Sequence, residues 1–278
     1  MPGIDAIIAP MSFEGEANGV CLTQRIKQIK QPRGGYLNSR KLLQVTNLGI
    51  VPPRDYKEEN IGAGLVGIAV DYLTRFMGGT SVDEAFHISF LGARLVNQLA
   101  EASFLAQDIK GLDDASIDAA CKLAGYDSAF RAGLMSFRPI ENIEPNEASI
   151  ENIRTMVESG IKFFDEYGPV VHEGITFEGG YPEAVDAGDG DFMTVDALWD
   201  FKCSVKPPTN AHTLQVAMYW LLGLHSVHTE DYRKVSHLGF FNPRLGSVYT
   251  LDVTDIPKET LHEIEVSVIG YGEDAAIF

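Results

Sequence analysis

From Gly188 to Ser204 the chain reads GDGDFMTVDALWDFKCS, a pattern that predicts a β-hairpin. Two short runs, 189–195 and 197–203, flank a tight break at Val195-Asp196. Side chains along the second run alternate between two faces, as they do on a strand. The two faces are Leu198, Asp200 and Lys202 on one side and Trp199, Phe201 and Cys203 on the other. We expect the bulkier face to lie in the core, which leaves a carboxylate and an amine side by side on the other.

The hairpin brings a second carboxylate to this face. If Val195-Asp196 is a two-residue loop, the antiparallel register sets Asp191 directly opposite Asp200. Cross-strand neighbours lie about 4.5–5.5 Å apart at Cβ, where like charges destabilise a sheet. A shared proton or a bound cation can offset that repulsion. Because oxygen ligands of this kind favour Mg²⁺ or Mn²⁺, the pair is a candidate metal site.

Lys202 lies next to this pair and is a candidate base. A lysine near apolar surface and a cation can have its pKa lowered, so that it orients or deprotonates a water at the metal. The residues therefore suggest metal-assisted hydrolysis of an anionic substrate. The alternative is a surface hairpin in which Lys202 forms a salt bridge with one of the aspartates.

Composition and charge narrow the class of protein. The chain has 278 residues, 45% of them hydrophobic, which fits a folded globular protein. No apolar run reaches about 18 residues and the first residues do not resemble a signal peptide, so we expect a cytoplasmic protein that spans no membrane. Three widely spaced cysteines favour a reducing compartment and argue against an iron–sulfur cluster.

The net charge of −17 is unfavourable for binding nucleic acid, but the charge is unevenly distributed. Residues 17–54 contain no acidic residue and seven of the 22 basic ones. The seven are Arg25, Lys27, Lys30, Arg33, Arg40, Lys41 and Arg54. Such a segment can hold a phosphate backbone locally while the acidic body repels it. The alternative is a solvated N-terminal loop.

Periodicity predicts an α/β protein. Residues 1–55 look irregular, with short strands. Predicted helices cover 60–77, 81–107, 116–123, 128–132, 147–167, 210–224 and 258–269, and predicted strands 170–177, 183–186, 237–241 and 247–252, besides the hairpin. This order favours a mixed central sheet flanked by helices. We expect one elaborated domain over 1–278, with a helical insertion at 81–140.

Two predicted helices carry polar residues in patterns of interest. In 60–77, Gly64, Gly67 and Asp71 form one line, and two glycines would let the helix approach other backbone closely. An ordinary Asp71–Arg75 ion pair is the alternative. In 210–224, which is apolar nearly all round, Gln215 and Tyr219 share a face, one turn after His212. A core tyrosine with a satisfied glutamine is the alternative there.

Taken in order, these signals resemble a known family. Gly188-x-x-Asp191, Asp200-Phe-Lys202 and Gln215-x-x-x-Tyr219 are similar to the pattern of PD-(D/E)xK nucleases, and more closely to the RecB-like exonuclease branch. The resemblance covers roughly residues 60–77 and 183–225. It implies a restriction-endonuclease-like core with a mixed sheet flanked by helices.

The resemblance also implies roles for individual residues. Asp191, Asp200 and the Phe201 carbonyl would bind the metal, and Lys202 would activate the attacking water. Gln215 and Tyr219 would position the lysine or the DNA. In this branch an upstream helix often supplies a histidine after G-x-x-x, and here Gly67-Ile-Ala-Val-Asp71 has that spacing with Asp71 in the histidine position. The expected DNA contacts are Arg25, Lys27, Lys30, Arg33, Arg40, Lys41 and His212.

The sequence thus predicts a deoxyribonuclease of the exonuclease type that uses Mg²⁺ or Mn²⁺ and acts on single- or double-stranded DNA, with protein partners in recombination or repair. Exonuclease action follows from the resemblance alone. A non-catalytic nucleic-acid-binding or assembly module that kept the nuclease fold is the first alternative. An acidic interaction protein that mimics nucleic acid is the second.

Overall fold

A computed structural model describes residues 19–50 and 52–278 of the chain. The strands in this part are β1 (Val20–Cys21), β2 (Gln44–Asn47), β3 (Val170–Ile175), β4 (Val185–Ala187), β5 (Gly190–Thr194), β6 (Ala197–Phe201), β7 (His237–Asn242) and β8 (Ser247–Asp252). The helices are α1 (Leu22–Gln28), α2 (Ser39–Leu42), α3 (Ala63–Met77), α4 (Val82–Ala85), α5 (His87–Leu95), α6 (Leu99–Asp108), α7 (Asp114–Ala124), α8 (Asp127–Arg131), α9 (Glu147–Tyr167), α10 (Asn210–His225), α11 (Thr229–Tyr232) and α12 (Lys258–Glu263). A π-helical stretch, Ile264–Ile269, continues α12.

The centre of the described structure is a mixed sheet with the strand order β2-β8-β7-β6-β5-β3. Strands β6 and β7 run parallel, and each other neighbouring pair in this sheet is antiparallel. Parallel neighbours need a crossover connection, which α10 provides. The carboxyl ends of β6 and β7 therefore lie at the same edge of the sheet as the start of α10. The predicted α/β class with a mixed sheet between helices is confirmed.

The hairpin forms as the sequence predicts, with Val195 and Asp196 as its two-residue loop. Trp199 Nε1 donates to Thr194 Oγ1 across the pair at 2.9 Å. On the next strand Trp199 faces Gly239, where a Cβ atom would lie only 2.2 Å from the indole ring. Glycine at this position makes room for the largest side chain of the hairpin.

Helices cover both faces of the sheet. On one face α9 contributes Phe163, whose ring packs against Trp199 and Phe241 at centroid distances of 4.9 and 4.5 Å. On the other face lies α10, together with α1 and the last helix. Both faces of β6 are consequently buried, and Leu198 and Asp200 are as inaccessible as Trp199. The predicted burial of the bulkier face is confirmed at Trp199, and α10 covers the second face as well.

The helices α3 to α8 share a second hydrophobic core with one side of α9. Ser81 opens this region with the predicted capping box, since its hydroxyl accepts from Glu84 N and Glu84 reaches back to Ser81 N. The single helix predicted for 81–107 was wrong, because the chain breaks at Phe86 and again at Asn97 to form α4, α5 and α6. Asn97 has a φ of 59°, a left-handed conformation that ends a helix.

Boundaries elsewhere follow the predictions to different degrees. The helix Glu147–Tyr167 and the strand Ser247–Asp252 have the predicted limits. The N-terminal segment is less irregular than predicted, because residues 19–50 contain α1 and α2 besides β1 and β2; residues 1–18 lie outside the described part. Within residues 19–50 and 52–278 no helix combines the length and the apolar character needed to cross a bilayer.

Candidate active site

The hairpin places its two carboxylates opposite each other. Phe192 pairs with Trp199 and Met193 with Leu198, and the next step of the same register sets Asp191 against Asp200. Asp191 lies at the start of β5, and Asp200 is the penultimate residue of β6. The predicted juxtaposition is therefore present at the edge of the sheet where β6 ends.

Asp200 is buried with one basic neighbour. It is 2% exposed, and its Oδ2 lies 2.9 Å from Lys202 Nζ. The ammonium stabilises this buried oxygen by its charge, although the contact is not aligned as a well-formed hydrogen bond. One lysine beside two carboxylates leaves a net negative charge, which is costly to bury unless a proton or a further cation compensates it.

Burial shifts both carboxylates toward the protonated form. It raises the pKa of Asp200 above its ordinary value, although the charge of Lys202 opposes the shift. Burial and the charge of Asp200 raise the pKa of Asp191. Because Asp191 still reaches solvent, screening weakens its shift, and Asp200 bears the larger desolvation cost. Perturbed carboxylates of this kind are concentrated at functional sites.

The pKa of Lys202 is raised in the chain without a bound cation. Its burial alone would lower the pKa, but the charges of Asp200 and Asp191 and the close contact with Asp200 outweigh burial and raise it. The lowering expected beside a bound cation stays a prediction. The raised pKa keeps the Lys202 amine protonated beside Asp200. Because the side chain is 28% exposed, the amine remains accessible to solvent.

The Phe201 amide also faces the carboxylate pair. Lys202 N donates to Phe241 O on β7 at 2.9 Å, and successive amides of a strand point to alternate sides. The Phe201 N–H therefore points toward β5, where it donates to Asp191 Oδ2 at 2.6 Å. The carbonyl of a strand residue lies on the same side as its N–H, which directs Phe201 O toward the predicted metal position.

The donor set fits a small divalent cation with few protein ligands. Among the described residues, no group of three or more His, Cys, Asp or Glu side chains is arranged to hold one ion. A cation here would be held by Asp191, Asp200 and the Phe201 carbonyl, with water completing its shell. Mg²⁺ usually keeps several waters and binds few carboxylates, so this set suits it. The unsatisfied Asp200 Oδ2 is the atom that most needs such a partner.

Helix α10 supplies the layer behind the carboxylates. Gln215 Nε2 donates to Tyr219 Oη at 2.6 Å, and both residues are buried. Burial and then the charge of Asp200 raise the pKa of Tyr219, which keeps its hydroxyl protonated. A core tyrosine with a satisfied glutamine thus describes the pair, and the pair also lies against the site.

His212 begins the same helix and completes its capping box, since its Nδ1 accepts from Thr209 N at 3.2 Å. Burial and the positive charge of Lys202 lower the pKa of His212. His212 is therefore a neutral group near Lys202 rather than a cation. Its proposed contact with DNA would be a hydrogen bond, not an ion pair.

Helix α3 packs over the end of β6, but less closely than predicted. A Cβ atom on Gly67 would lie 3.8 Å from Cys203 Cβ, an ordinary contact, and one on Gly64 would meet nothing within 4 Å. The predicted close approach through two glycines was therefore wrong. Asp71 forms the alternative ion pair with Arg75, Oδ2 to Nη2 at 3.1 Å. Asp71 does not join Asp191 and Asp200 in a common ligand group, and its metal ligation stays a prediction.

The basic segment is packed against the start of α10 rather than extended as an arm. Asn210 Nδ2 donates to Gly34 O at 2.8 Å, and Asn210 Oδ1 accepts from Ser39 N at 2.9 Å. Thr213 Oγ1 donates to Leu37 O at 2.6 Å. These bonds fix residues 34–39 at the end of α10 that also carries His212.

The basic side chains differ in their availability. Of the six residues of this segment that are predicted to contact DNA, five are exposed: Lys27, Lys30, Arg33, Arg40 and Lys41. Arg25 is partly buried, and its Nε donates to Val268 O at 2.7 Å, which ties α1 to the C-terminal helix. Contact with DNA stays a prediction for all six.

Sequence reasoning missed a second ionic contact near the site. Arg244, in the turn between β7 and β8, binds Glu59 with both terminal nitrogens at 2.6 and 3.2 Å. Both side chains are buried. The two residues are 185 positions apart, and no local pattern signals such a pair. Arg75, by contrast, had a signal, because it follows Asp71 at helical spacing.

Comparisons of the chain with protein-family models, with curated proteins and with solved structures find no match. Function is therefore inferred from the geometry of the site.

Proposed function

We propose that this protein is a metal-dependent deoxyribonuclease that hydrolyses phosphodiester bonds with Mg²⁺ or Mn²⁺. The observation that carries the proposal is the arrangement at the end of β6. There Asp191 faces Asp200 across the hairpin, and Lys202 lies 2.9 Å from the buried, unsatisfied Asp200 oxygen. The mixed sheet between α9 and α10 supports a restriction-endonuclease-like core around this site.

The chain's own groups have distinct tasks in this proposal. When bound, the cation neutralises the carboxylates, polarises the scissile phosphate and lowers the pKa of a water molecule. Asp191 and Asp200 hold the cation, and the Phe201 carbonyl faces the same position. A cation between the carboxylates would also weaken the hold of Asp200 on Lys202. The ammonium would then lose a proton more readily, and the neutral amine would orient the attacking water and accept a proton from it.

The substrate class follows from charge. An acidic body repels polyanions in general, so a polyanion binds only where cations are concentrated. Residues 34–39, which lie between Arg33 and Arg40, are hydrogen-bonded to the start of α10, where the charge of Lys202 acts on His212. This placement supports DNA as the substrate, with phosphates held on one side of the metal position. Exonuclease action and partners in recombination or repair are further parts of the proposal that derive from the family resemblance.

The test is degradation of end-labelled linear single- and double-stranded DNA with Mg²⁺ or Mn²⁺, beside circular DNA. The native chain is compared with Lys202→Ala and with Lys234→Ala, a control at an exposed lysine after α11, near the opposite end of α10. We expect cleavage by the native chain and the control, and a loss of about 10²–10⁴-fold in Lys202→Ala. Sparing of circles would identify an exonuclease.

Two results would contradict the proposal. Equal cleavage by the native chain and Lys202→Ala would mean that the site is wrong or that a contaminant cleaves. Absence of cleavage by the native chain, with DNA still bound in EDTA, would instead favour a non-catalytic binding module that kept the fold.

A further inference from the structure

Helix α3 presents one line of residues to the candidate site. Gly67, Asp71 and Arg75 recur every four residues and so share a face of the helix. A Cβ atom on Gly67 would lie 3.8 Å from Cys203 Cβ, directly after Lys202, so this face of the helix is directed toward the end of β6. Arg75 therefore lies two turns along the same face, beyond Asp71.

The Arg75 guanidinium is held in place with most of its donors unused. Nη2 donates to Asp71 Oδ2 at 3.1 Å, and the guanidinium carbon lies 4.9 Å from the centroid of the Tyr72 ring. Nε is buried and has no hydrogen-bond partner. Because Nε is buried, an anion can reach only the terminal nitrogens, where Nη1 and the second Nη2 hydrogen can donate to two of its oxygens.

The same guanidinium belongs to the electrostatic environment of the carboxylate pair. Burial and the charge of Asp200 raise the pKa of Asp191, while the charges of Lys202 and Arg75 lower it. Burial raises the pKa of Asp71 too, with Arg75 opposing the shift and Asp191 adding to it. Arg75 is thus close enough to act on charge at the predicted metal position, although it contacts neither ligand of the metal.

We propose that Arg75 binds a phosphate oxygen of the substrate beside the Asp191–Asp200 pair, and that Asp71 holds Arg75 in position instead of binding the metal. The inference rests on the proposed nuclease function for the identity of the anion. In this proposal the carboxylates of the hairpin bind the cation, and a guanidinium from α3 binds the phosphodiester.

Arginine suits this task better than lysine. Its fork matches two phosphate oxygens, and its weaker hydration lowers the cost of placing it in a half-buried position such as this one, where the side chain is 26% exposed. Stacking on Tyr72 orients the plane of the guanidinium before substrate arrives, which reduces the entropy lost on binding. Asp71 remains bound to one Nη2 hydrogen, while Nη1 and the second Nη2 hydrogen can donate to the phosphate.

The experiment measures binding of a fluorescein-labelled single-stranded oligonucleotide by anisotropy at low salt in EDTA, where no cleavage occurs. We expect Arg75→Gln to raise Kd on the order of tenfold, because one charge-assisted contact is lost. Arg75→Lys should raise Kd by about half as much in log units, because lysine keeps the positive charge but lacks the planar fork of N–H donors. Arg233→Gln, at an exposed arginine after α11, is the matched control and should bind as the native chain does.

The second arm measures binding of Mn²⁺ alone by calorimetry. Asp71→Asn should bind Mn²⁺ within about twofold of the native chain, whereas Asp191→Asn should lose on the order of tenfold or more. Loss of Mn²⁺ affinity in Asp71→Asn would overturn the assignment and restore Asp71 as a metal ligand. Native-like DNA binding by Arg75→Gln, or absence of DNA binding by the native chain, would also overturn it.

The readouts separate this inference from the nuclease proposal, because neither depends on cleavage. A native chain that binds DNA through Arg75 but never cleaves would remove the nuclease and keep the phosphate contact. A native chain that cleaves DNA while Arg75→Gln binds DNA normally would keep the nuclease proposal and remove the phosphate contact of Arg75. Arg75→Lys guards against misfolding, since it keeps the charge beside Asp71.

Discussion

Two buried carboxylates in this molecule have opposite surroundings. The Glu59 side chain is 4% exposed and accepts from both terminal nitrogens of Arg244 and from Asn152 Nδ2 at 2.7 Å. The Asp200 side chain is 3% exposed, faces a second carboxylate, and has one basic neighbour at 2.9 Å without an aligned hydrogen bond. The two side chains are equally buried, but the groups that compensate their negative charge differ.

The comparison distinguishes a buried charge that stabilises the fold from a buried charge that we propose to be functional. Glu59 joins the segment before α3 to the β7–β8 turn and, through Asn152, to α9, and every part of this contact is satisfied. Asp200 is left under-compensated at an edge of the sheet that a ligand can reach. A bound species can complete such a costly arrangement, so the carboxylate with the weaker compensation, not the better-formed ion pair, supports the proposed active site.

The largest effect is expected from removing the satisfied pair. Arg244→Met should lower the free energy of unfolding by about 3–5 kcal/mol, because it leaves the Glu59 carboxylate buried with only Asn152 as a partner. Urea denaturation measures the change. Arg233→Met, which breaks an exposed pair with Glu230, should cost less than about 1 kcal/mol. If Arg244→Met lowers the free energy of unfolding no more than this control does, the proposed difference between Glu59 and Asp200 is wrong.

A smaller effect with a distinct pH dependence is expected at Asp200. Because its folded-state pKa is raised, the folded protein binds more protons than the unfolded chain between the ordinary and the raised pKa. The native chain in EDTA therefore loses stability as the pH rises through that range. Asp200→Asn lacks this group, so its stability relative to the native chain should increase as the pH rises from about 4.5 to about 8. The increase should be about 1.4 kcal/mol for each pH unit that separates the folded-state pKa from the unfolded-state pKa.

Thermal or urea unfolding at several pH values in EDTA provides the measurement. Asp165→Asn, at an exposed position of α9, is the control and should show a nearly constant difference from the native chain. A pH-independent difference for Asp200→Asn would show that Asp200 is already compensated in the absence of a cation.

The smallest effect concerns charges that are fully hydrated. If the basic segment rather than the buried site carries the general attraction for DNA, Lys27→Gln with Lys30→Gln should make the dependence of log K on log salt less steep by about 1.5 to 2. Binding is measured by anisotropy over a series of salt concentrations. The pair Lys234→Gln with Lys258→Gln should leave the slope unchanged, and an equal change in both double variants would remove the assignment of the segment.

The sequence predicted those parts of the site that depend on local pattern. Alternation along β6 and the two-residue loop placed Asp191 opposite Asp200 without any long-range information, and helical spacing placed Gln215 next to Tyr219. Tertiary contacts decided the rest. The rise in the pKa of Lys202 depends on both carboxylates, and burial of both faces of β6 depends on α10.

Long-range pairs were not predictable in the same way. Glu59 and Arg244 are brought together only by the complete fold, as are the valine and cysteine of β1 and their partners in β4. The break at Asn97 also escaped prediction, because a capping box and a good helical period favour one long helix and packing of α5 against α8 overrides them. Gly92 shows how tight that packing is, since a Cβ there would lie 2.0 Å from Tyr126 O.

The residues proposed to bind the metal lie close together in the sequence, and this has a consequence for the order of folding. Asp191, Asp200, Lys202 and the Gln215–Tyr219 pair all lie within one hairpin and the crossover helix that follows it, so bringing them together closes only short loops. The entropy of loop closure grows with the length of chain enclosed. Helix α3, which carries Asp71 and Arg75, must instead close a loop of more than a hundred residues. The two halves of the site can therefore form at different times, with the carboxylate hairpin able to assemble before α3 docks over it.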